Sequence, residues 1–317
     1  MEANLILNQQ LMLGVLVLLG AMLARAGIIT GAMQEALSRI IIDITLPCLI
    51  LSTFARAEFE PAVLRNVLWV GGLTFANLGA LMLVGAAASR AMRLPPPDAT
   101  VHTLHTMFGN IVFLGFPILA ALFPDGTGVL YGAVYQLASN VVTFTYGIYR
   151  LSQGQQRGGL RGLININTIA LGMGLLLLVV HPPLPHLLID ALASVGQCTS
   201  PLSMLYVGAL LSGIGLRTAL KRPSIYVVAA NKLLLLPAML ALAYFHLLGA
   251  MGIRLDFAAF AVLVLEAAMP CQTIVVVLTK RYGGSFELAA SNMLITTVLS
   301  LMSLPIIYRL LGALYGL

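Results

Sequence analysis

Residues capable of chemistry interrupt an otherwise apolar run between positions 257 and 279. Glu266 is an acid, and Pro270 lacks a backbone donor and clashes with the carbonyl group four residues earlier, so a helix is expected to break there. In a membrane, such a break is tolerated only where protein or water satisfies the freed backbone groups, and an acid at that depth indicates a functional site. With Gln272 and Thr273 nearby, the pattern is typical of a transporter binding site. The alternative is a kink kept for packing.

Three ionisable residues inside apolar stretches are candidates for ion coupling or charge balance: Glu266, Lys232 and Asp43. A buried ammonium group needs a partner, and the two acids are available in neighbouring segments. Lys232 can instead extend its side chain to the membrane surface. Each acid lies four residues before a proline and could carry a coupling proton, with a structural ion pair as the alternative.

The composition places these residues in an integral membrane protein. Hydrophobic residues make up 60% of the 317 positions and charged residues 9%, and the mean hydropathy is +0.98; soluble domains carry about 25% charged residues. The apolar runs are about 20 residues long, which favours helices over a barrel. The net charge of +6 is scattered at helix ends, so nucleic-acid binding is not expected. His102 and His105 lack further ligands, so no metal site is expected, and no cofactor other than a coupling proton or sodium ion is indicated.

We predict an all-α polytopic membrane protein with ten transmembrane helices. The spans lie near residues 6–25, 33–54, 63–88, 100–122, 127–150, 165–181, 186–216, 223–249, 256–279 and 285–313.

The basic residues predict the orientation, because they concentrate in cytoplasmic connectors. With both termini outside, the cytoplasmic connectors contain Arg25, Arg39, Arg90, Arg93, Arg150, Arg157, Arg161, Arg217, Lys221, Arg222, Lys280 and Arg281. The outer side then keeps only Arg56, Arg65, Arg254 and Arg309.

The two halves, 1–157 and 158–317, resemble copies of each other. A Ser-Asn pair ends at Asn140 and another at Asn292, and the number of residues between them is almost the same as that between Pro47 and Pro201. Because each half has an odd number of spans, the copies are inserted upside down, as in many secondary transporters. The same spacing predicts a second break in span four, at Gly109–Asn110, since glycine relaxes the backbone and asparagine can bond an unwound segment.

Several of these motifs resemble those of the auxin efflux carrier (AEC) family, which includes plant PIN auxin exporters and bacterial malonate and malate permeases. The motifs are Gly109-Asn110, Gly115-Phe-Pro117, Ala268-Met-Pro-Cys-Gln272, Lys280-Arg-Tyr-Gly283 and Leu304-Pro305. The resemblance covers all ten spans.

The resemblance implies a fold similar to that of bile-acid sodium symporters, with broken helices four and nine crossing in the membrane. Spans 1, 2, 6 and 7 would form a scaffold that also makes a homodimer, and spans 3–5 and 8–10 a transport domain that moves like an elevator. The location implied is the bacterial inner membrane. Lys232 would stand as a fixed cation or where a related symporter binds sodium. Gly109 departs from the family's Pro-Asn pair at the crossover, whereas Asn110 is kept.

At such a crossover the N-termini of two half-helices offer unpaired N–H groups and a partial charge of about +0.5 each, which suits a carboxylate. We therefore expect a small organic anion such as malonate, malate or an auxin-like acid as substrate. The predicted binding residues are Gly109, Asn110, Ile111, Pro270, Cys271, Gln272 and Thr273, with Asn140 and Asn292 either lining the site or packing helices.

Other classes of function fit less well. An intramembrane enzyme would need paired acids on facing helices, a G-x-S-x-G turn or an H-E-x-x-H helix, and the sequence has none of these. A ligand-binding sensor or a channel that retains the carrier fold remains the alternative.

Overall fold

The computed structural model describes residues 2–56, 61–155, 166–180, 182–213 and 222–316. Throughout these ranges the regular structure is helical, which confirms the all-α prediction. Some of the basic residues used for the predicted orientation lie outside the described residues, and so does the predicted boundary between the halves. These basic residues are Arg157, Arg161, Arg217 and Lys221.

The described helices are numbered in chain order. They are α1 (Glu2–Arg25), α2 (Gly31–Ile40), α3 (Leu46–Arg56), α4 (Pro61–Ala91), α5 (Pro96–Met107), α6 (Phe116–Leu122), α7 (Thr127–Val142), α8 (Ile148–Leu151), α9 (Ile166–Val180), α10 (His186–Gln197), α11 (Thr199–Ser212), α12 (Pro223–Ala230), α13 (Leu236–Ala250), α14 (Phe257–Ala268), α15 (Thr273–Tyr282) and α16 (Phe286–Tyr315). Wider π-helical turns lie at Ile41–Thr45, Ile111–Gly115, Thr143–Gly147 and Asn231–Leu235.

Three of the π-helical turns end two residues before a proline, at Pro47, Pro117 and Pro237. A proline lacks the backbone N–H, and its ring clashes with the carbonyl group four residues earlier. A widened turn moves that carbonyl group away, so the helix continues past the proline instead of ending. No proline follows the fourth turn, Thr143–Gly147, and we have no physical account of it.

Four stretches of the described chain are long and apolar enough to cross a membrane. They are Gly31–Arg56, Ala62–Ala91, Pro223–Ala250 and Phe286–Tyr315. Shorter apolar helices are Leu11–Arg25, Ile111–Leu122, Ile166–Val180 and Phe257–Ala268. These lengths support an integral membrane protein, and the arrangement of ten spans as two inverted repeats stays a prediction.

The chain divides into two compact units. The first comprises Met1–Trp69, Val112–Leu137 and Ile164–Gly213. In this unit helices touch through glycines: a Cβ atom on Gly208 of α11 would collide with the carbonyl oxygen of Val17 in α1, and one on Gly196 of α10 would lie 2.7 Å from Cα of Leu49 in α3. Small residues allow this approach of helix backbones in membrane proteins.

The second unit comprises Val70–Ile111, Ala138–Leu163 and Ile214–Leu317. Its centre is α14, which is buried from Ala258 to Ala268. The helix begins at a cap, because Asp256 accepts a hydrogen bond of 2.6 Å from the backbone of Ala259. Asn77 of α4 donates to the carbonyl oxygen of Leu263 at 2.8 Å and accepts from the hydroxyl group of Tyr244, which fastens α4 and α13 to α14.

The prolines proposed as repeat-related have unlike surroundings. Pro47 follows a π-helical turn inside one continuous helical stretch, whereas Pro201 lies in the first turn of α11, after α10 has ended at Gln197. The two prolines therefore give no structural support to the predicted repeat, which stays a prediction.

Candidate functional site

Two helices of the second unit stop and resume a few residues later. α5 ends at Met107 and α14 ends at Ala268, so the second break lies at the Met269–Pro270 step predicted from the sequence. Helical structure resumes at Ile111 and at Thr273, respectively. Both predicted breaks are therefore present in the structure.

The extended residues of the two breaks pair with each other. The backbone N–H of Asn110 donates to the carbonyl oxygen of Pro270 at 2.8 Å, and that of Gln272 donates to the carbonyl oxygen of Phe108 at 3.2 Å. These bonds satisfy inside the protein some of the backbone groups that the breaks release, as a membrane interior requires. The pairing also brings the predicted site residues of the two breaks together.

Gly109 stands opposite Cys271 in this short antiparallel bridge. A Cβ atom at position 109 would lie 2.7 Å from the carbonyl oxygen of Glu266 and 2.9 Å from Cβ of Met269. Those distances are too short for any side chain, so glycine is needed here for close approach of the two breaks. The sequence suggested glycine as a point of relaxed backbone, and the structure gives this different reason.

Cys271 is held by contacts to two further helices. Its backbone N–H donates to Oγ1 of Thr296 at 3.0 Å, and its thiol contacts the carbonyl oxygen of His105 at 3.6 Å. The hydroxyl group of Thr296 donates in turn to the carbonyl oxygen of Asn292 at 2.6 Å. These bonds fix the second break to α16 and α5, and the role of Thr296 was not predicted from the sequence.

Lys232 is fully buried in the π-helical turn Asn231–Leu235. Its ammonium group donates to the carbonyl oxygens of Thr106 at 3.3 Å and Ala267 at 3.4 Å. Those carbonyl groups lie in the last turns of α5 and α14, where intrahelical donors are missing and the helix dipole places partial negative charge. Lys232 therefore holds a cation where the C-terminal ends of both interrupted helices meet.

Glu266 is also fully buried, and within the described residues neither of its carboxylate oxygens has a hydrogen-bond partner. It is attracted electrostatically by Lys232. The two do not form an ion pair, since each ion pair among the described residues is made by an arginine. Backbone carbonyl groups thus take the place of the acid expected to pair with Lys232, and its complete burial excludes the alternative that it extends to the membrane surface.

Asp43 differs from Glu266 in its burial and in the compact unit to which it belongs. It lies on the π-helical turn Ile41–Thr45 of the first unit, and its side chain is exposed. Glu266 and Lys232 belong to the second unit. The structure therefore places two of the three predicted charged residues in one unit and Asp43 in the other.

Several buried polar atoms at the start of α15 and on α16 have no hydrogen-bond partner among the described residues. Within the described chain, Oε1 of Gln272, Oγ1 of Thr273 and both amide atoms of Asn292 lack hydrogen-bond partners, and all three residues are more than nine-tenths buried. Asn110 and Ile111 are buried as well. Since buried polar groups are normally satisfied, such atoms need an explanation, and a bound polar ligand is one. The donors among these atoms are the hydroxyl group of Thr273 and the amide nitrogen of Asn292, and with the free N–H groups of a helix N-terminus they suit an anion. The amide oxygens of Gln272 and Asn292 are acceptors and need a donor on the ligand.

Asn140 lies on α7 and is nine-tenths buried. The adjacent Ser139 is fully buried, and its hydroxyl group has no partner among the described residues. Both belong to the second unit, as does Asn292. Whether Asn140 and Asn292 line the site or pack helices stays a prediction with two alternatives.

His102 and His105, at which the sequence predicts no metal site, lie inside the second unit. Both are fully buried on α5, and none of their ring nitrogens has a hydrogen-bond partner within the described residues. Their spacing of three residues puts both on one face of α5. No group of three or more metal-ligating side chains is present in the described part of the chain.

The fold and the site together define a helical membrane protein in which two broken helices pair through their backbones, an arrangement found in secondary transporters. A family model described as "Membrane transport protein" matches residues 5–308. The chain belongs to this family, which confirms the resemblance to the auxin efflux carrier family.

Three relatives match over nearly their whole length. A protein of Rhizobium meliloti named "Putative malonate transporter" is 28% identical over 301 residues, which cover 90% of this chain and 89% of the relative. Uncharacterised transporters of Methanothermobacter thermautotrophicus and Methanocaldococcus jannaschii are 26% and 24% identical. These matches cover 92% and 91% of this chain and 94% and 93% of the relatives, respectively.

Proposed function

We propose that this protein is a secondary carrier that moves a small organic anion across the plasma membrane. The observation that carries the proposal is the backbone pairing of the two broken helices, with Asn110 bonded to Pro270 and Gln272 bonded to Phe108. Broken helices at membrane depth are the usual construction of a carrier site, because their free ends provide polar backbone groups in an apolar surrounding.

The substrate that these groups suit is a carboxylate. The first N–H groups of α15 are unused by the helix, and the hydroxyl group of Thr273 at its start is a buried donor without a partner among the described residues. A carboxylate accepts several such hydrogen bonds, and the helix dipole attracts its charge. Malonate is the first acid to test, because one relative is named for it, followed by malate and auxin-like acids.

Lys232 and Glu266 balance charge at the other ends of the broken helices. Lys232 supplies a fixed cation at the C-terminal carbonyl groups of α5 and α14. Glu266 is a buried acid near it and is the candidate for carrying a coupling proton. Asp43, which is exposed, is the weaker candidate for this role.

The proposed movement is an elevator-type alternating access, in which spans 1, 2, 6 and 7 form a dimeric scaffold and spans 3–5 and 8–10 carry the substrate. The compact units partly support this division, since spans 8–10 belong to the second unit. The start of span three and parts of spans four and five belong instead to the first unit. The mobile part that we propose is therefore centred on α14, α15 and α16.

Counterflow in proteoliposomes tests the proposal. Liposomes loaded with unlabelled malonate should transiently accumulate labelled malonate from outside, whereas liposomes without protein should not. The same assay with malate, an auxin-like acid and inorganic sulfate, each with sodium or choline as the cation, defines substrate and coupling ion. A sensor would bind the acid without flux, and a channel would let it equilibrate without transient accumulation; either result contradicts the proposal.

A further inference from the structure

A cavity of about 550 Å³ in the second unit is lined by none of the residues of the paired breaks. It is bounded by the end of α13, the connector to α14 and the last turn of α16, and we call it the aromatic pocket. The membrane-crossing stretches Pro223–Ala250 and Phe286–Tyr315 both end here. The aromatic pocket therefore lies at the level of one membrane surface.

Aromatic rings form much of the wall of this pocket. The ring of Tyr315 lies 4.8 Å from that of Phe260 and 6.5 Å from that of Phe245, measured between centroids. The hydroxyl group of Tyr315 donates to the carbonyl oxygen of Leu255 at 3.1 Å, which fastens the connector to α16. Such a wall presents apolar area with a polar rim, as is common where a membrane meets water.

The pocket also carries positive charge. Arg254 is exposed at its edge and takes part in none of the ion pairs formed within the described chain. The nearest acid in sequence, Asp256, accepts the capping hydrogen bond of α14 from Ala259. Arg254 thus has no ion-pair partner among the described residues, and a guanidinium group matches a phosphate in charge and geometry.

An apolar strip leads from the pocket along α13. Met239, Leu242 and Phe245 follow one another at intervals of three residues, which keeps them near one face of the helix. Each is exposed, at 55%, 43% and 39% respectively. A ligand with a charged head in the pocket can thus lay an apolar tail along this helix, whereas a free phosphate ion or a small carboxylate has no apolar part to contact the strip.

We propose that the aromatic pocket binds the headgroup of an anionic phospholipid. Arg254 pairs with the phosphate, the rings of Phe245 and Tyr315 pack against the glycerol region, and an acyl chain follows the strip on α13. The volume is within the range of small-molecule sites, about 300–1,000 Å³, which accommodates a headgroup and leaves the tails outside. This site is separate from the carrier site, and its occupancy does not depend on transport.

Native mass spectrometry of the full chain in neutral detergent tests the proposal, with phosphatidylglycerol as the probe and phosphatidylcholine as the comparison. The wild-type protein should retain phosphatidylglycerol preferentially, and Arg254→Gln should weaken that binding at least tenfold. Arg309→Gln is the matched control, because Arg309 is also exposed but does not line the pocket. Ala250→Trp, which fills the pocket without changing charge, should weaken binding of both lipids.

Unchanged phosphatidylglycerol binding in both Arg254→Gln and Ala250→Trp would overturn the proposal. Equal competition by inorganic phosphate or malonate would also overturn it, since the site would then recognise a free anion and not a lipid. Because binding is measured without flux, a failure here is distinct from a failure of the proposed carrier function.

Discussion

The ammonium group of Lys232 lies 3.3 Å from the carbonyl oxygen of Thr106, one residue before α5 ends. A second bond of 3.4 Å to Ala267 repeats the relationship at the end of α14. One buried cation thus stabilises the C-terminal ends of both interrupted helices, where backbone acceptors and dipoles would otherwise be uncompensated. The two bonds therefore hold the positive charge of Lys232 next to both helix breaks.

Lys232→Met is expected to lower the free energy of unfolding by about 3 kcal/mol, because it removes the donor to the carbonyl oxygens of Thr106 and Ala267 and the charge that attracts Glu266. Combining it with Glu266→Gln should recover only the part of this loss that comes from Glu266, which denaturant unfolding in detergent can measure. Leu235→Met, at an exposed position of the same π-helical turn, should change nothing. Additive losses in the double variant would show that the two side chains act independently.

Glu266→Gln is expected to remove the response of uptake to a pH gradient, if the carboxyl group carries the coupling proton. The measurement is the ratio of malonate uptake with and without an acid exterior, which should be above one for the wild type and close to one for the variant. Asp43→Asn serves as the comparison and should keep the wild-type ratio. An uptake ratio that stays above one in Glu266→Gln would show that another group carries the coupling proton.

Gly109→Ala is expected to destabilise the protein by about 1–3 kcal/mol and to abolish transport, since the added Cβ atom meets the carbonyl oxygen of Glu266 at 2.7 Å. Gly79→Ala is the control in the same unit, because no atom lies within 4 Å of its added Cβ atom. In a helix that change should stabilise by about 0.5–1 kcal/mol. Thermal unfolding of both variants separates close approach from a general effect of losing glycine.

Asn110→Ala should reduce transport at least tenfold with little change in stability. The bond that joins the breaks here uses the backbone N–H of Asn110, and alanine keeps that donor. Only the amide side chain is lost, so the variant should remain folded and retain its oligomeric state in size-exclusion chromatography. Uptake at the wild-type rate would remove this side chain from the substrate site.

Asn77→Leu should destabilise the protein and Asn292→Leu should not, although both asparagines are fully buried in the second unit. The amide of Asn77 bonds Leu263 and Tyr244, so its loss should cost about 1–3 kcal/mol. Within the described residues the amide of Asn292 has no partner, so leucine should be neutral or stabilising. If Asn292 binds substrate, Asn292→Leu should still weaken malonate binding in a thermal-shift titration; unchanged binding would favour a packing role.

The sequence by itself determined the membrane class, the family and the positions of both helix breaks. Composition is sufficient for the first, since 60% hydrophobic residues in runs of about 20 suit a bilayer. Local chemistry is sufficient for the breaks: Pro270 ends α14 because it lacks a donor, and a glycine followed by Asn110 weakens the helix in span four. The motifs that carry the family resemblance are also contiguous in the chain.

Only the tertiary structure decided which polar groups meet. Lys232 lies far in sequence from Thr106, and no local pattern shows that its donors go to backbone carbonyl groups instead of to an acid. Likewise, the need for glycine at position 109 arises from the backbone of a distant helix. Such contacts form only when helices that are distant in sequence pack against each other. The sequence around either residue does not show which backbone groups it will meet.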